Sequence, residues 1–288
     1  MLSVPAVNGF LVFFCLRSQN LLFLRLYSLE LLFARFRFYI FSREGCLVKH
    51  IVSRVGRCAD DYRMIEPGDR IAVGVSGGKD SVVTLCALSK LREFYPKPFE
   101  VAAITLDMSG GKMDFSPLAE LCEKLEVPFH LVESHIFEVI FDYRHEKNPC
   151  SLCAKMRRGA LHNAMKERGL NKIALGHHRD DAVETFFMSL FYEGRINCFQ
   201  PVTYLDRTGV TQIRPLLYCT EGQIRSAVAR NGLPVVKNIC PADGATKRQE
   251  IKELIAQLSQ RYPDLKDYVL SAMQRLPLPE WKPFPREK

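Results

Sequence analysis

The stretch Val73-Gly-Val-Ser-Gly-Gly-Lys-Asp-Ser81 decides how this chain is read. It overlaps the short apolar run Arg70–Val75, which reads as a buried strand. It leads into Ser81–Leu91, where Val82, Leu85, Cys86 and Ser89 recur at helical spacing. Glycines between a strand and a helix let the backbone approach an anion, and the helix N-terminus points free N–H groups at it. This is not a Walker loop. With Lys79 as the Walker lysine, the first glycine would fall at Val73 and the Ser or Thr at Asp80. The dinucleotide G-x-G-x-x-G spacing is missing as well. The competing reading is a glycine turn before a capped helix, with no ligand.

Outward from the loop, strand and helix patterns alternate. Lys49–Tyr62 reads as a helix with Ile51, Val52 and Val55 on one side, and Glu66-Pro67-Gly68-Asp69 as a turn. Phe99–Leu106, Pro128–Val132 and Lys172–Leu175 read as strands. Pro117–Leu125, Ser151–Arg168, Asp181–Tyr192, Gly222–Asn231 and Ala245–Tyr262 read as helices, and Gly169 ends the second of them. Strands alternating with helices of this length imply crossover units, hence a doubly wound parallel α/β sheet with helices on both faces.

Ser76-Gly-Gly-Lys-Asp-Ser81 after a strand resembles the SGGxDS loop of the N-type ATP pyrophosphatase (PP-loop) superfamily, whose fold is the adenine nucleotide alpha hydrolase-like (HUP) one. Its members cut ATP to AMP and pyrophosphate while adenylating a substrate. On that resemblance Ser76, Gly77, Gly78, Ser81 and the loop N–H groups hold pyrophosphate. Lys79 neutralises developing charge, and Asp80 holds Mg2+. Gly176-His-His-Arg-Asp-Asp181 follows the Ile173–Leu175 strand and opens a helix, at the C-terminal strand ends where ligands collect in such sheets. Asp180 and Asp181 facing a triphosphate would repel it without a cation, so a Mg2+ role is expected for both. The alternative is an Asp N-cap with an exposed neighbour. Adjacent His177 and His178 should point apart, which argues against a zinc site.

The ten cysteines are far fewer than a disulfide scaffold of this length would carry, and their spacing is irregular apart from one pair. Cys150-Ser-Leu-Cys153 begins a helix, where a thiol pKa falls and thiolate ligation is favoured. The pair fits zinc, an iron–sulfur cluster, a redox pair or a chance occurrence in a Cys-rich chain, and because two ligands do not complete a metal site, any metal needs more from elsewhere. Cys219 and Cys240 are the candidates, both in loops after strand-like segments. Cys240 follows the apolar run Leu233–Val236 and so sits at a strand's exit, whereas Cys219 lies in the cap region of the Gly222–Asn231 helix. Cys86 and Cys122 lie on apolar helix faces and read as core. Cys15, Cys46 and Cys58 lie before the fold or at its edge, and Cys198 has no pattern around it.

At 288 residues the chain has room for one large domain or two small ones. Its 47% hydrophobic and 25% charged residues argue against disorder, collagen and coiled coil. Residues 1–46 differ from the rest, with eight of the 19 Phe, no Lys, and five Arg against two acids. Of the formal charge of +8, this leaves +3 here and +5 in the remainder, a mild fit to a polyanionic partner. The apolar run Gly9–Leu16 is too short for a bilayer, which needs about 20 residues, and the features of a signal peptide are missing. Upstream sequence outside the fold, a transit peptide and a membrane-surface anchor all fit. The expected division is 1–46 extension, 47–276 catalytic domain, and 277–288 Pro-rich tail. A cytoplasmic location without stable membrane insertion is expected.

Together these motifs resemble the tRNA 2-thiocytidine synthetase (TtcA) family, from about Leu47 to Trp281. The resemblance rests on Ser76–Ser81, on Cys150-Ser-Leu-Cys153 with Arg157-Arg158-Gly159, and on Ala174-Leu-Gly-His-His-Arg-Asp-Asp181. It continues through Ile213-Arg-Pro-Leu216, Asn238-Ile-Cys240 and Arg261-Tyr-Pro263. Pro241-Ala-Asp-Gly244 departs from the family's commoner Gly-Ser-Gln type. The resemblance implies a [4Fe-4S] cluster on Cys150, Cys153 and Cys240 with one iron open. It also implies ATP·Mg adenylation of a cytidine C2 oxygen at position 32 of a tRNA anticodon loop, and attack there by sulfur held at the open iron. Lys79, Asp80, Asp180 and Asp181 would be catalytic and Gly176 nucleotide-binding. Lys155, Arg157, Arg158 and Arg179 could meet tRNA phosphates. A cysteine desulfurase system or free sulfide would supply sulfur, and a homodimer is possible. Two alternatives share the loop. A tRNA lysidine synthetase-like ligase would not need the cysteines, and a nucleotide- and cluster-binding redox sensor would not release pyrophosphate. The zinc-finger pairs of the related 2-thiouridine enzymes are missing.

Overall fold

The computed structural model describes residues 46–143, 149–236 and 247–275. The expectations for residues 1–45, for Cys240 and its surroundings, and for the Pro-rich tail fall outside the described residues. The described elements begin with α1 (Cys46–Asp61), β1 (Asp69–Gly74), α2 (Lys79–Leu91), β2 (Phe99–Asp107), α3 (Ser116–Lys124) and β3 (Phe129–Glu133). A π-helical turn (Glu138–Tyr143) precedes α4 (Pro149–Glu167), β4 (Lys172–Ala174) and α5 (Arg179–Glu193). The hairpin β5 (Val202–Leu205) and β6 (Val210–Ile213) leads through a 3-10 turn (Pro215–Tyr218) to α6 (Glu221–Asn231), α7 (Lys247–Arg261) and α8 (Leu265–Arg275).

The six strands form one sheet in the order β3-β2-β1-β4-β6-β5. All pairs are parallel except β5 with β6. The chain winds outward from β1 to β2 and β3, then returns to place β4 on the other side of β1. That reversal is the topological switch point where this fold class binds ligands. The antiparallel edge is a departure from the all-parallel expectation. Its signal was the alternation Val202–Ile213 around the turn at Gly209, whose φ of +67° suits glycine.

Side chains alternate across the sheet with period two. Ile71, Val73, Val101 and Ala103 join one core with α1, α2, α3, α6 and α8. Ala72, Ala102, Ile104 and Ile173 face the opposite way, against Ala164 and Met165 of α4. Burial on both faces explains why β1 is continuously apolar from Ile71 to Gly74. In α1 the apolar face continues past Val55 to Cys58, and Tyr62, just beyond the helix, is buried as well. Cys58 is therefore a core residue rather than an edge one: the 3.6-residue period carries it inward beneath the sheet. Cys86 and Cys122 are buried, as expected from their helix faces.

Two further corrections concern the C-terminal part. Leu233–Val236 is not a strand. Pro234 has no N–H for a ladder, and Val236 donates instead to the Gly77 carbonyl at 3.0 Å, so this run packs on the phosphate loop. The strand-exit argument for Cys240 is lost with it. Helix α8 went unread because its face is short, yet Leu270 and Met273 are buried. Among the described residues no helix is long and apolar enough to cross a membrane.

Candidate active site

The phosphate loop links β1 to α2. Gly77 adopts a φ of +86°, and a Cβ there would lie 2.8 Å from that of Val236. Glycine is thus required both for the turn and for the close approach of Val236. Ser76 and Ser81 brace the loop. The Ser81 hydroxyl donates to the Gly78 carbonyl at 2.8 Å and accepts from the Ser76 N–H at 3.2 Å. Helix α2 starts at Gly78 with no side-chain cap, whereas α5 and α6 both carry complete capping boxes. Its first-turn N–H groups thus have neither an intrahelical partner nor a capping side chain, an arrangement suited to an anion.

The acidic motif meets this loop backbone to backbone. A Cβ on Gly176 would fall 2.9 Å from the Asp80 carbonyl carbon and 3.0 Å from the Ser81 nitrogen. His178, not an aspartate, is the N-cap of α5. Its Nδ1 accepts from the Asp181 N–H (3.3 Å), and Asp181 Oδ2 accepts from the His178 N–H (3.0 Å). With Nδ1 accepting, the imidazole carries its proton on Nε2, which lies 3.4 Å from Asp181 Oδ2 and 3.6 Å from Asp80 Oδ1. That Asp80 oxygen is buried and has no hydrogen-bond partner. His177 points elsewhere, onto Phe199 with ring centroids 4.9 Å apart. Burial, and the Arg214 guanidinium beside it, push His177 down to about 4, so it is neutral at physiological pH.

Neighbours in sequence have different tasks here. Asp180 is turned inward, accepting from the Glu221 N–H at 2.8 Å and from Lys266 Nζ at 2.5 Å. Burial alone would raise its carboxyl, but these two donors hold it below the usual range. Asp180 therefore ties α5 to α6 and α8. Arg179, expected to meet phosphate, is ion-paired to Asp267 of α8 and largely buried. Lys155 and Arg158 are exposed on α4 and Arg157 is half-buried.

Glu221, Arg225, Arg248, Lys252 and Glu184 join the expected site residues without any motif that marks them in the sequence. Lys79 lies 3.0 Å from Asp80 and 3.4 Å from Glu221. Glu221 also pairs with Arg225 (2.8 Å) and Lys252 (3.1 Å). Burial pushes its carboxyl up, but the bonds from Arg225 and Lys252 prevail and hold it at about 2. Arg248 reaches Glu184 at 3.3 Å and Asp181 at 3.6 Å. Arg248 and Lys252 are four apart on α7, a helical spacing that marks one face but not its destination. Among the described residues no three His, Cys, Asp or Glu side chains form a ready metal cage. Mg2+ characteristically takes one or two carboxylates plus substrate phosphates, and Asp80 with its unpartnered oxygen fits that use.

Of the proposed cluster cysteines, Cys150 and Cys153 begin α4, with Cys153 half-exposed. Cys240 lies outside the described residues. Cys219 is fully buried behind the 3-10 turn, and burial pushes its thiol to about 12.

The PP-loop domain family matches residues 48–258. The tRNA-cytidine(32) 2-sulfurtransferase of Dechloromonas aromatica (strain RCB) is 36% identical over 232 residues, covering 80% of this chain and 81% of that protein. The chain belongs to this family of PP-loop proteins. The family's Pelobacter propionicus member, of the same name, is also 36% identical, over 81% of this chain and 88% of its own. The U34-tRNA thiolase NcsA from Methanococcus maripaludis, solved with its [4Fe-4S] cluster, superposes with a TM-score of 0.65. At 22% identity over 81% of this chain and 79% of its own, it speaks for the shared fold.

Proposed function

We propose that this chain is an ATP-dependent tRNA sulfurtransferase that converts a cytidine, at position 32 of the anticodon loop, to 2-thiocytidine. The observation that carries the reading is the backbone contact of Gly176 with Asp80 and Ser81. It sets an uncapped helix N-terminus and Lys79 beside Asp80, His178 and Asp181 at the switch point of the sheet. Family membership supplies the substrate.

In this reading the loop N–H groups and Lys79 take the β- and γ-phosphates. Asp80 and Asp181 would hold Mg2+, which would supply the charge that screens the triphosphate from those carboxylates when bound. His178 orients Asp181 by its capping box and stands with its Nε2–H towards Asp80. The C2 oxygen of cytidine attacks the α-phosphorus and pyrophosphate leaves into the loop. Oxygen thereby becomes part of a good leaving group, and replacement by sulfur at C2 releases AMP. A [4Fe-4S] cluster on Cys150, Cys153 and Cys240 would supply the sulfur chemistry when bound. Lys155, Arg157 and Arg158, on the same helix as the cysteine pair, would guide the tRNA backbone. Asp180 and Arg179, both engaged internally, position the motif instead. A cysteine desulfurase system or free sulfide is the proposed sulfur source, the cytoplasm the proposed location, and a homodimer a possible assembly.

The test is anaerobic incubation of the full chain with unmodified tRNA, ATP, Mg2+ and sulfide, followed by mass spectrometry of the nucleosides. Appearance of 2-thiocytidine is the expected result. Lys79→Ala and Asp80→Ala should abolish pyrophosphate release while iron content is kept. Lysidine, or no tRNA product with the cluster bound, would replace this reading.

A further inference from the structure

We propose that Glu221 is an internal stand-in for phosphate, a carboxylate that holds the triphosphate's cations until nucleotide arrives. This rests on the ATP-binding reading above. Three cations from three places converge on this one side chain: Lys79 of the phosphate loop at 3.4 Å, Arg225 one turn along α6 at 2.8 Å, and Lys252 of α7 at 3.1 Å. The side chain is mostly buried, with 16% of its surface exposed. It performs no capping duty, since Thr220 and Gln223 already form the capping box of α6. Its backbone N–H serves Asp180 whatever the side chain is.

Charge balance makes this placement consequential. Around the loop, Lys79, Arg225, Arg248 and Lys252 are matched by Asp80, Asp181, Glu184 and Glu221. A group that is already neutral attracts a polyanion weakly; Mg2+ would bring two of the charges a triphosphate needs, and the departure of a carboxylate frees a further one and the cations that held it. Asp181 is fixed by its capping box and Glu184 is buried beneath Arg248. Glu221 is the carboxylate that can leave. It is held by side chains alone, two of which, Arg225 and Lys252, are more than 40% exposed. When pyrophosphate or the β,γ-phosphates enter, the three cations pass from Glu221 to phosphate oxygens, and the carboxylate turns out to water. The same carboxylate then competes for those cations when pyrophosphate must depart, so it weakens product binding and speeds release.

The experiment is titration calorimetry of the full-length protein with inorganic pyrophosphate and with ATP, at fixed ionic strength. Glu221→Gln, nearly isosteric and uncharged, should tighten pyrophosphate binding about tenfold, the scale of one charge-assisted bond no longer surrendered. Glu221→Asp keeps the charge but shortens the reach, and should tighten binding by about threefold on the same scale. Glu221→Gln combined with Lys252→Met should return towards the wild-type affinity. Unchanged or weaker pyrophosphate binding in both single variants would overturn the proposal and leave Glu221 as a metal-side or structural group. If the wild-type chain bound neither ATP nor pyrophosphate, the ATP-binding reading and the stand-in would fall together. If the wild type bound both and the variants matched it, the stand-in alone would fall.

Discussion

Gly176 and Asp80 touch backbone to backbone: a Cβ on the former would lie 2.9 Å from the carbonyl carbon of the latter. The phosphate loop and the acidic motif are separated by most of a hundred residues, yet their main chains pack directly against each other. Gly176→Ala must shift the phosphate loop itself, because the clash is with main chain rather than with a flexible side chain. An ATP affinity loss of about tenfold or more is expected, with the circular dichroism spectrum retained. Gly74→Ala is the control. Its Cβ would meet Ile173 at 3.7 Å, an ordinary contact, and affinity should stay near wild type. Equal losses in both variants would assign the effect to general instability.

The Asp180–Lys266 pair makes a prediction about pH. Burial opposes the Asp180 carboxylate, but Lys266 and the Glu221 N–H more than offset it, so its pKa is lowered on folding. A lowered folded pKa stabilises the protein above the unfolded value, near 4, and the contribution fades as pH falls through the folded one. Lys266→Met leaves a buried carboxylate without its cation and should cost about 2 kcal/mol at neutral pH, moderated by the partial exposure of Lys266. Urea unfolding should show this gap narrowing below about pH 4. A gap unchanged at acid pH would mean that Lys266 acts by packing.

Cys219 and Cys240 should separate in iron content. Cys219 is a fully buried core thiol with its pKa pushed to about 12, unsuited to thiolate ligation. Cys219→Ala is expected to keep anaerobic iron and the absorbance near 400 nm, a generic iron–sulfur band, while losing about 1 kcal/mol of stability. Cys240→Ala should lose both iron and absorbance. The reverse outcome transfers the ligand to Cys219, and loss in both variants removes the open iron site.

Residues 1–46 should be dispensable. Their composition breaks sharply from that of the remaining chain, and the family match begins at residue 48. A chain starting at Leu47 is expected to fold and bind ATP with unchanged affinity. Joint loss of solubility and ATP binding would show that the segment belongs to the fold.

Much of this is legible in the amino-acid sequence. The apolar run of β1, the helical spacing of α2 and the loop glycines are local signals, and they survive because sheet pleat, helix period and glycine φ are properties of short stretches. The hairpin at Val202–Ile213 and the helix at Leu265–Arg275 were missed, being short and only half apolar. Leu233–Val236 misled, since an apolar run containing Pro234 can serve as a wedge against Gly77 as readily as a strand.

The sequence by itself determined the doubly wound sheet, the anion-binding loop, and the presence of an acidic motif at a neighbouring strand end. Only the tertiary structure decided which charge does what. Asp180 and Asp181 are adjacent, but successive helix positions diverge by about 100°. One therefore turns to Lys266 and the other to His178. In the same way Lys79, Arg225 and Lys252 become one set because the phosphate loop, α6 and α7 meet at one place, where all three reach Glu221. A carboxylate's role is set by the partners that packing brings to it, and those partners come from remote parts of the chain that no local pattern connects.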